Sequence, residues 1–64
     1  MRPDAVKKIR IALLEKGWNQ EVLADRLGIS PTYLSLIISG QRAGRSLLPG
    51  IAEILEIPLQ ILSD

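Results

Sequence analysis

Apolar side chains recur at helical spacing along almost the whole chain. Val6, Ile9 and Leu13 fall on one stripe, Val22, Leu23, Ala24 and Leu27 on a second, Leu34 and Ile37 on a third, and Leu48, Ile51, Ala52 and Leu55 on a fourth. No stretch alternates with period two, so no strand is expected, and there is no internal repeat or low-complexity segment. Between the stripes stand residues that start and stop helices. Asp4, after Pro3, is expected to cap the first helix, Lys16 sits in its last turn where the helix dipole favours a cation, and Gly17 ends it. Asn19 is the expected cap of the second helix, with Trp18 and Leu23 spaced as a hydrophobic staple, and Gly28 is its stop.

Ser30 then caps a third helix running to about Ser39. Pro31 occupies its first position, where a missing amide hydrogen costs nothing, Ile29 and Leu34 form a second staple, and Gly40 closes it. Only Gly28, Ile29 and Ser30 separate the second and third helices, the short glycine-containing turn that a DNA-binding helix-turn-helix requires. After a polar loop from Gln41 to Arg45, a fourth helix is expected to start at Ser46, with Pro49 in its first turn. Gly50 weakens that helix by up to about 1 kcal/mol relative to alanine, so packing must hold it. Pro58 favours a break before a short fifth helix carrying Leu59, Ile61 and Leu62. The expected fold is all-α: five helices in one compact domain over residues 1–64.

Length and composition narrow the possibilities. A chain of 64 residues buries only about 60% of the surface its unfolded form exposes, so the core must be economical. Cysteine and histidine are both absent, which removes disulfides, thiolate zinc sites, thiol nucleophiles and imidazole bases together. A reducing, cytoplasmic setting fits that composition. No apolar run approaches the roughly 18 to 20 residues that cross a bilayer, and MRPDAVKK lacks the apolar stretch of a signal peptide, so no membrane partner is expected. The net charge is only +1, yet its distribution is uneven. Arg2, Lys7, Lys8, Arg10 and Lys16 outweigh Asp4 and Glu15 near the start, Arg26 to Ala52 contains no acid, and the last twelve residues carry Glu53, Glu56 and Asp64 with no base.

The run W-N-Q-E-V-L-A-D-R-L-G-I-S-P-T-Y-L-S-L-I-I-S-G, from Trp18 to Gly40, followed by L-L-P-G-I-A-E-I-L from Leu47 to Leu55, resembles the helix-turn-helix domains of lambdoid phage repressors and Cro proteins. The resemblance spans roughly residues 6 to 62. It implies a lambda-repressor-like fold and sequence-specific binding of double-stranded DNA, with the third helix in the major groove. Residue by residue, it implies that Gln20 contacts the DNA backbone and props the recognition helix, and that Ser39, Gln41, Arg42 and Arg45 surround the end of that helix, where relatives contact phosphates. Thr32, Tyr33 and Leu36 match the base-reading positions. Thr32 is able to hydrogen-bond a base edge or touch a thymine methyl, Tyr33 to reach a base or a phosphate, and Leu36 to make only the apolar contact. Two departures stand out. Pro31 replaces a common base-reading glutamine and has no side-chain donor, and Leu13 with Ile38 stand where relatives pair an arginine with a glutamate. Joint replacement of such a pair by apolar groups is often neutral or favourable, whereas losing one partner strands a buried charge.

Other functions compete less well. An enzyme is not expected, since Glu21 and Asp25 are the sort of one-turn carboxylate pair that is usually solvated, and neither a phosphate-cradling loop nor metal-ligand spacing is present. No cofactor and no metal are expected. The rival reading is a protein-interaction module on the same scaffold, because fold does not dictate function and Pro31 with Leu36 leave few polar base readers. Ile54, Leu55, Ile57, Leu59, Ile61 and Leu62 crowd the C-terminal end, from which a weak homodimer through Leu59, Ile61 and Leu62 is expected. Paired helix-turn-helix units read half-sites about one DNA turn, roughly 34 Å, apart. Helical spacing turns Leu36 outward, so Leu36→Gln is expected to change the preferred base in a binding selection while leaving the melting temperature close to wild type. A variant that melts early with its base preference unmoved would assign Leu36 to the core instead.

Overall fold

The computed structural model of the protein describes residues 1–62, and every regular element in it is a helix. Five α-helices run α1 Pro3–Lys16, α2 Gln20–Leu27, α3 Pro31–Ser39, α4 Leu48–Leu55 and α5 Leu59–Leu62, with a single 3-10 turn at Arg45–Leu47 before α4. The all-α, five-helix expectation is met. Gly17, Gly28 and Gly40 end α1, α2 and α3 in the left-handed conformation, and their amides close the last turn of each helix.

Two helix starts differ from expectation. Asp4 is not the cap of α1: Arg2 holds that position, without a side-chain cap hydrogen bond, and Asp4 lies in the first turn. Proline's fixed φ suits the first helical position, so Pro3 itself begins the helix, and the Asp4 carboxylate is left where the dipole favours it. Similarly, Ser46 lies in the 3-10 turn, and α4 proper begins at Leu48 with Pro49 in its first turn. At its other end α4 stops on Glu56, a non-glycine residue with φ 58°. The Glu56 carboxylate meets the Lys16 ammonium at 3.3 Å, tying the ends of α4 and α1 together at the surface.

The core is wholly apolar. Ala5, Leu23, Ala24, Leu34 and Ile51 have no exposed surface, and no polar or charged side chain is buried among the described residues. Leu13 and Ile38 are both buried, so the two positions expected to replace an ion pair do lie inside the protein. Trp18 packs half-buried against this core at the α1–α2 corner, and the Arg26 guanidinium lies 4.4 Å and the Lys16 ammonium 5.3 Å from its ring centroid.

The helix α5 folds back onto both α1 and α4. Leu62 is thereby only 4% exposed and belongs to the core, which corrects its expected place on a dimer surface. Burial against the chain's own helices satisfies Leu62 without a partner. Ile61 is half-buried beside a shallow groove that it shares with Ile11 and Gln60, and Leu59 remains 43% exposed. Among the C-terminal acids, Asp64 lies outside the described residues. Leu62→Ala is expected to cost about 2–5 kcal/mol in chemical denaturation, most of what holds so short a chain folded, whereas Leu59→Ala should cost under about 1 kcal/mol. Equal losses at the two positions would contradict this packing.

Candidate nucleic-acid interface

The local hydrogen bonds explain how the second and third helices are set relative to each other. Asn19 Oδ1 accepts the Val22 amide at 3.0 Å and fixes the start of α2, where Gln20 is the first helical residue and is half-buried. Ser30 Oγ accepts the Tyr33 amide at 3.1 Å and fixes the start of α3, with Pro31 exposed at its first position. Leu34, Ile37 and Ile38 point inward and are buried. What remains outward is a strip centred on Thr32, Leu36 and Ser39 by helical spacing, with Tyr33 along one edge and Ser35 along the other.

These side chains are not equally available. Thr32 is exposed, Tyr33 is 38% exposed, and Leu36 is half-buried, so part of its surface leans on the protein. The hydroxyl of Ser39 donates to the Leu36 carbonyl at 3.1 Å, which engages its one hydrogen within the helix. Ser35, which is not among the residues expected at the site, is exposed on the same strip one turn beyond Thr32. Its signal is local: a polar residue three positions after Thr32 in an otherwise apolar helix lies on the polar side.

The loop after α3 is held in two ways. The Leu36 carbonyl also accepts the amides of Gln41 at 2.9 Å and Arg42 at 3.1 Å, so the chain turns sharply and the Arg42 side chain springs from the end of α3. Farther on, the loop lies over Ile37, which is buried but stands apart from the main core cluster. A Cβ at Gly44 would come within 2.6 Å of Ile37 Cδ1, and Gly44 has φ 56°, so only glycine fits there without movement. Gln41, Arg42 and Arg45 are consequently presented, exposed, beside the end of α3, with no acidic residue anywhere in the loop.

Charge on this side of the molecule is therefore graded. Glu21 and Asp25 line a shallow depression with Val22, Ile29 and Pro31 next to the start of α3, whereas Arg42 and Arg45 flank its end. Arg26, which belongs to the same acid-free stretch of sequence, is stacked on Trp18 instead. No cluster of three or more side chains able to hold a metal ion occurs among the described residues.

A family model described as helix-turn-helix matches residues 7–62, nearly the whole chain, over the α2–turn–α3 unit just described and the helices that support it. The chain belongs to the helix-turn-helix family. This helix-turn-helix family is typical of lambda repressor and Cro-like DNA-binding domains, and it is a DNA-binding family rather than an enzyme family. Searches among curated proteins and among solved structures find no match. No helix of the described residues is long and apolar enough to cross a membrane.

The fold thus brings Thr32, Tyr33, Leu36 and Ser39 onto one helix face and sets Gln41, Arg42 and Arg45 at its end, while Gln20 begins the neighbouring helix. Gly44→Ala is expected to cost about 1–3 kcal/mol, because strain at positive φ adds to the clash with Ile37. Gly17→Ala, at φ 71° with nothing within 4 Å of the new Cβ, should cost only the conformational part, about 1 kcal/mol. Denaturation curves of the two variants separate the contributions, and equal losses would show that Ile37 yields freely.

Proposed function

We propose that this helix-turn-helix protein is a sequence-specific regulator of transcription, a repressor, that lays α3 in the major groove of double-stranded DNA. The observation that carries the reading is the outward strip of α3 joined to an acid-free, arginine-bearing loop that is docked on the same helix through Gly44 and Ile37. Bases are read by Thr32, Tyr33 and Leu36. The exposed part of Leu36 offers only apolar contact, which favours steps containing a thymine methyl, and Thr32 supplies the hydrogen-bonding group. Gln20, Gln41, Arg42 and Arg45 hold the phosphates, with Ser39 joining them once its hydroxyl leaves the Leu36 carbonyl. A cytoplasmic protein free of cysteine suits this role.

Binding is by a weak two-fold dimer through α5, where Leu59 is exposed and Ile61 half-buried. Association at that end leaves α3 of each subunit free for half-sites about 34 Å apart. A protein-interaction module is the second reading, favoured by the scarcity of polar groups on α3 and by the exposed leucines elsewhere.

Selection from a random duplex library, followed by salt titration of the enriched site, tests the proposal. An enriched sequence is expected, and Arg42→Ala should weaken binding to all sequences about equally while lowering the magnitude of the salt slope by about 0.9. Leu59→Glu should abolish cooperative occupancy of paired half-sites without altering the single half-site preference. No enrichment, or binding that ignores salt, would overturn the DNA reading in favour of the interaction module.

A further inference from the structure

The helix α1 joins the two places at which phosphates are held. Its start abuts the end of α3, since a Cβ built on Gly40 would stand 3.2 Å from the Met1 backbone nitrogen, just ahead of Pro3. Its last residue, Lys16, leads through Gly17, Trp18 and Asn19 directly into Gln20 at the start of α2. Ser39, Gln41 and Arg42 therefore stand at one end of α1 and Gln20 at the other. A DNA backbone that touches both ends runs along one flank of this helix.

The position of α5 decides which flank. Lys7, Lys8 and Ile11 line a groove with Gln60 and Ile61, so on that side α1 is covered by the protein's own α5. Arg10 follows Lys8 by two residues, about 200° around the helix, and stands away from α5. One turn from Arg10 on the inner side are Val6, half-buried against the core, and Leu13, which is buried in the same cluster as Ile38 of α3. Arg10 thus emerges at the rim of the core, on the flank that borders the α2–α3 unit. Its side chain is exposed, no carboxylate lies three or four positions from it, and no ion pair engages it among the described residues. The cations at the α1–α2 corner differ, because Lys16 is paired with Glu56 and Arg26 is stacked on Trp18.

We propose that Arg10 is a further phosphate-binding residue, through which α1 lies against the DNA backbone between Gln20 and Ser39. The inference rests on the DNA-binding reading and extends it to a helix outside the helix-turn-helix unit. A guanidinium presents a planar fork of donors that matches the oxygens of a phosphate. The contact carries no sequence information, so it contributes equally to every duplex.

Salt titration of binding to the enriched duplex tests it. Arg10→Ala should lower the magnitude of the salt slope by about 0.9, so that its deficit against wild type grows by about eightfold for each tenfold dilution of salt. Arg10→Lys should keep the slope, because it keeps the charge. Lys8→Ala, on the flank that α5 covers, should leave the slope close to wild type, and the melting temperature of Arg10→Ala should be unchanged because no ion pair is lost. Replacing phosphates of the duplex one at a time by neutral methylphosphonate should find one whose loss weakens the wild type but not Arg10→Ala. An unchanged slope in Arg10→Ala beside a lowered one in Arg42→Ala would overturn the assignment and leave the DNA reading standing. Unchanged slopes in both, or no binding at all, would remove both. A loss in Lys8→Ala equal to that in Arg10→Ala would reduce the effect to net charge and overturn the assignment.

Discussion

The packing of α3 on α2 is the constraint on which the rest of this structure depends. Leu23 and Ala24 of α2 and Leu34 of α3 are all fully buried, and a residue as small as alanine lets the two helices approach closely. The turn between them gives little freedom, because Gly28 closes one helix and Ser30 opens the next. With both caps satisfied and three inward residues of α3 committed to burial, the rotation of α3 about its axis is determined. Its outward strip then follows, since Thr32, Leu36 and Ser39 are the residues left over once the buried side is assigned.

A second, smaller contact places the charge. Ile37 is buried beneath the loop rather than in the main core, and the loop reaches it only because Gly44 has no Cβ. Four donors converge on the Leu36 carbonyl at this point: the Ser39 hydroxyl and the amides of Gly40, Gln41 and Arg42. Exposed polar groups of a loop are thus anchored by backbone, which leaves the Arg42 and Arg45 side chains free to meet an anion. The Arg26 side chain has a different fate, since the face of Trp18 offers a guanidinium a stacking site at the α1–α2 corner.

The distribution of apolar surface reflects the size of the chain. Hydrophobic residues are 47% of the sequence, more than a 64-residue fold hides, so some must be shown. The fold disposes of the C-terminal group economically: α5 turns back so that Leu62 joins Leu55 and Ile51 inside, and only Leu59 stays prominent there. The surplus lies instead on α1, at Ile11 and Leu14. Both lie on the side of the helix turned away from the core, where water covers them.

Helix positions along this chain are legible in the sequence by itself, because their signals are local. The Asn19 and Ser30 caps, the glycines that end α1 to α3, and the apolar stripes each act within one or two helical turns, and each appears where its chemistry puts it. The same locality misplaces two helix starts, at Asp4 and Ser46, where proline competes with a nearby polar residue for the first turn. Everything that depends on distant partners required the tertiary structure. Whether Leu62 faces a second molecule or its own α1, whether Arg26 joins the basic loop or Trp18, and why position 44 must be glycine are decided by residues far away in sequence. Periodicity gives the direction of a side chain relative to its own helix, but burial depends on which helix comes to cover it.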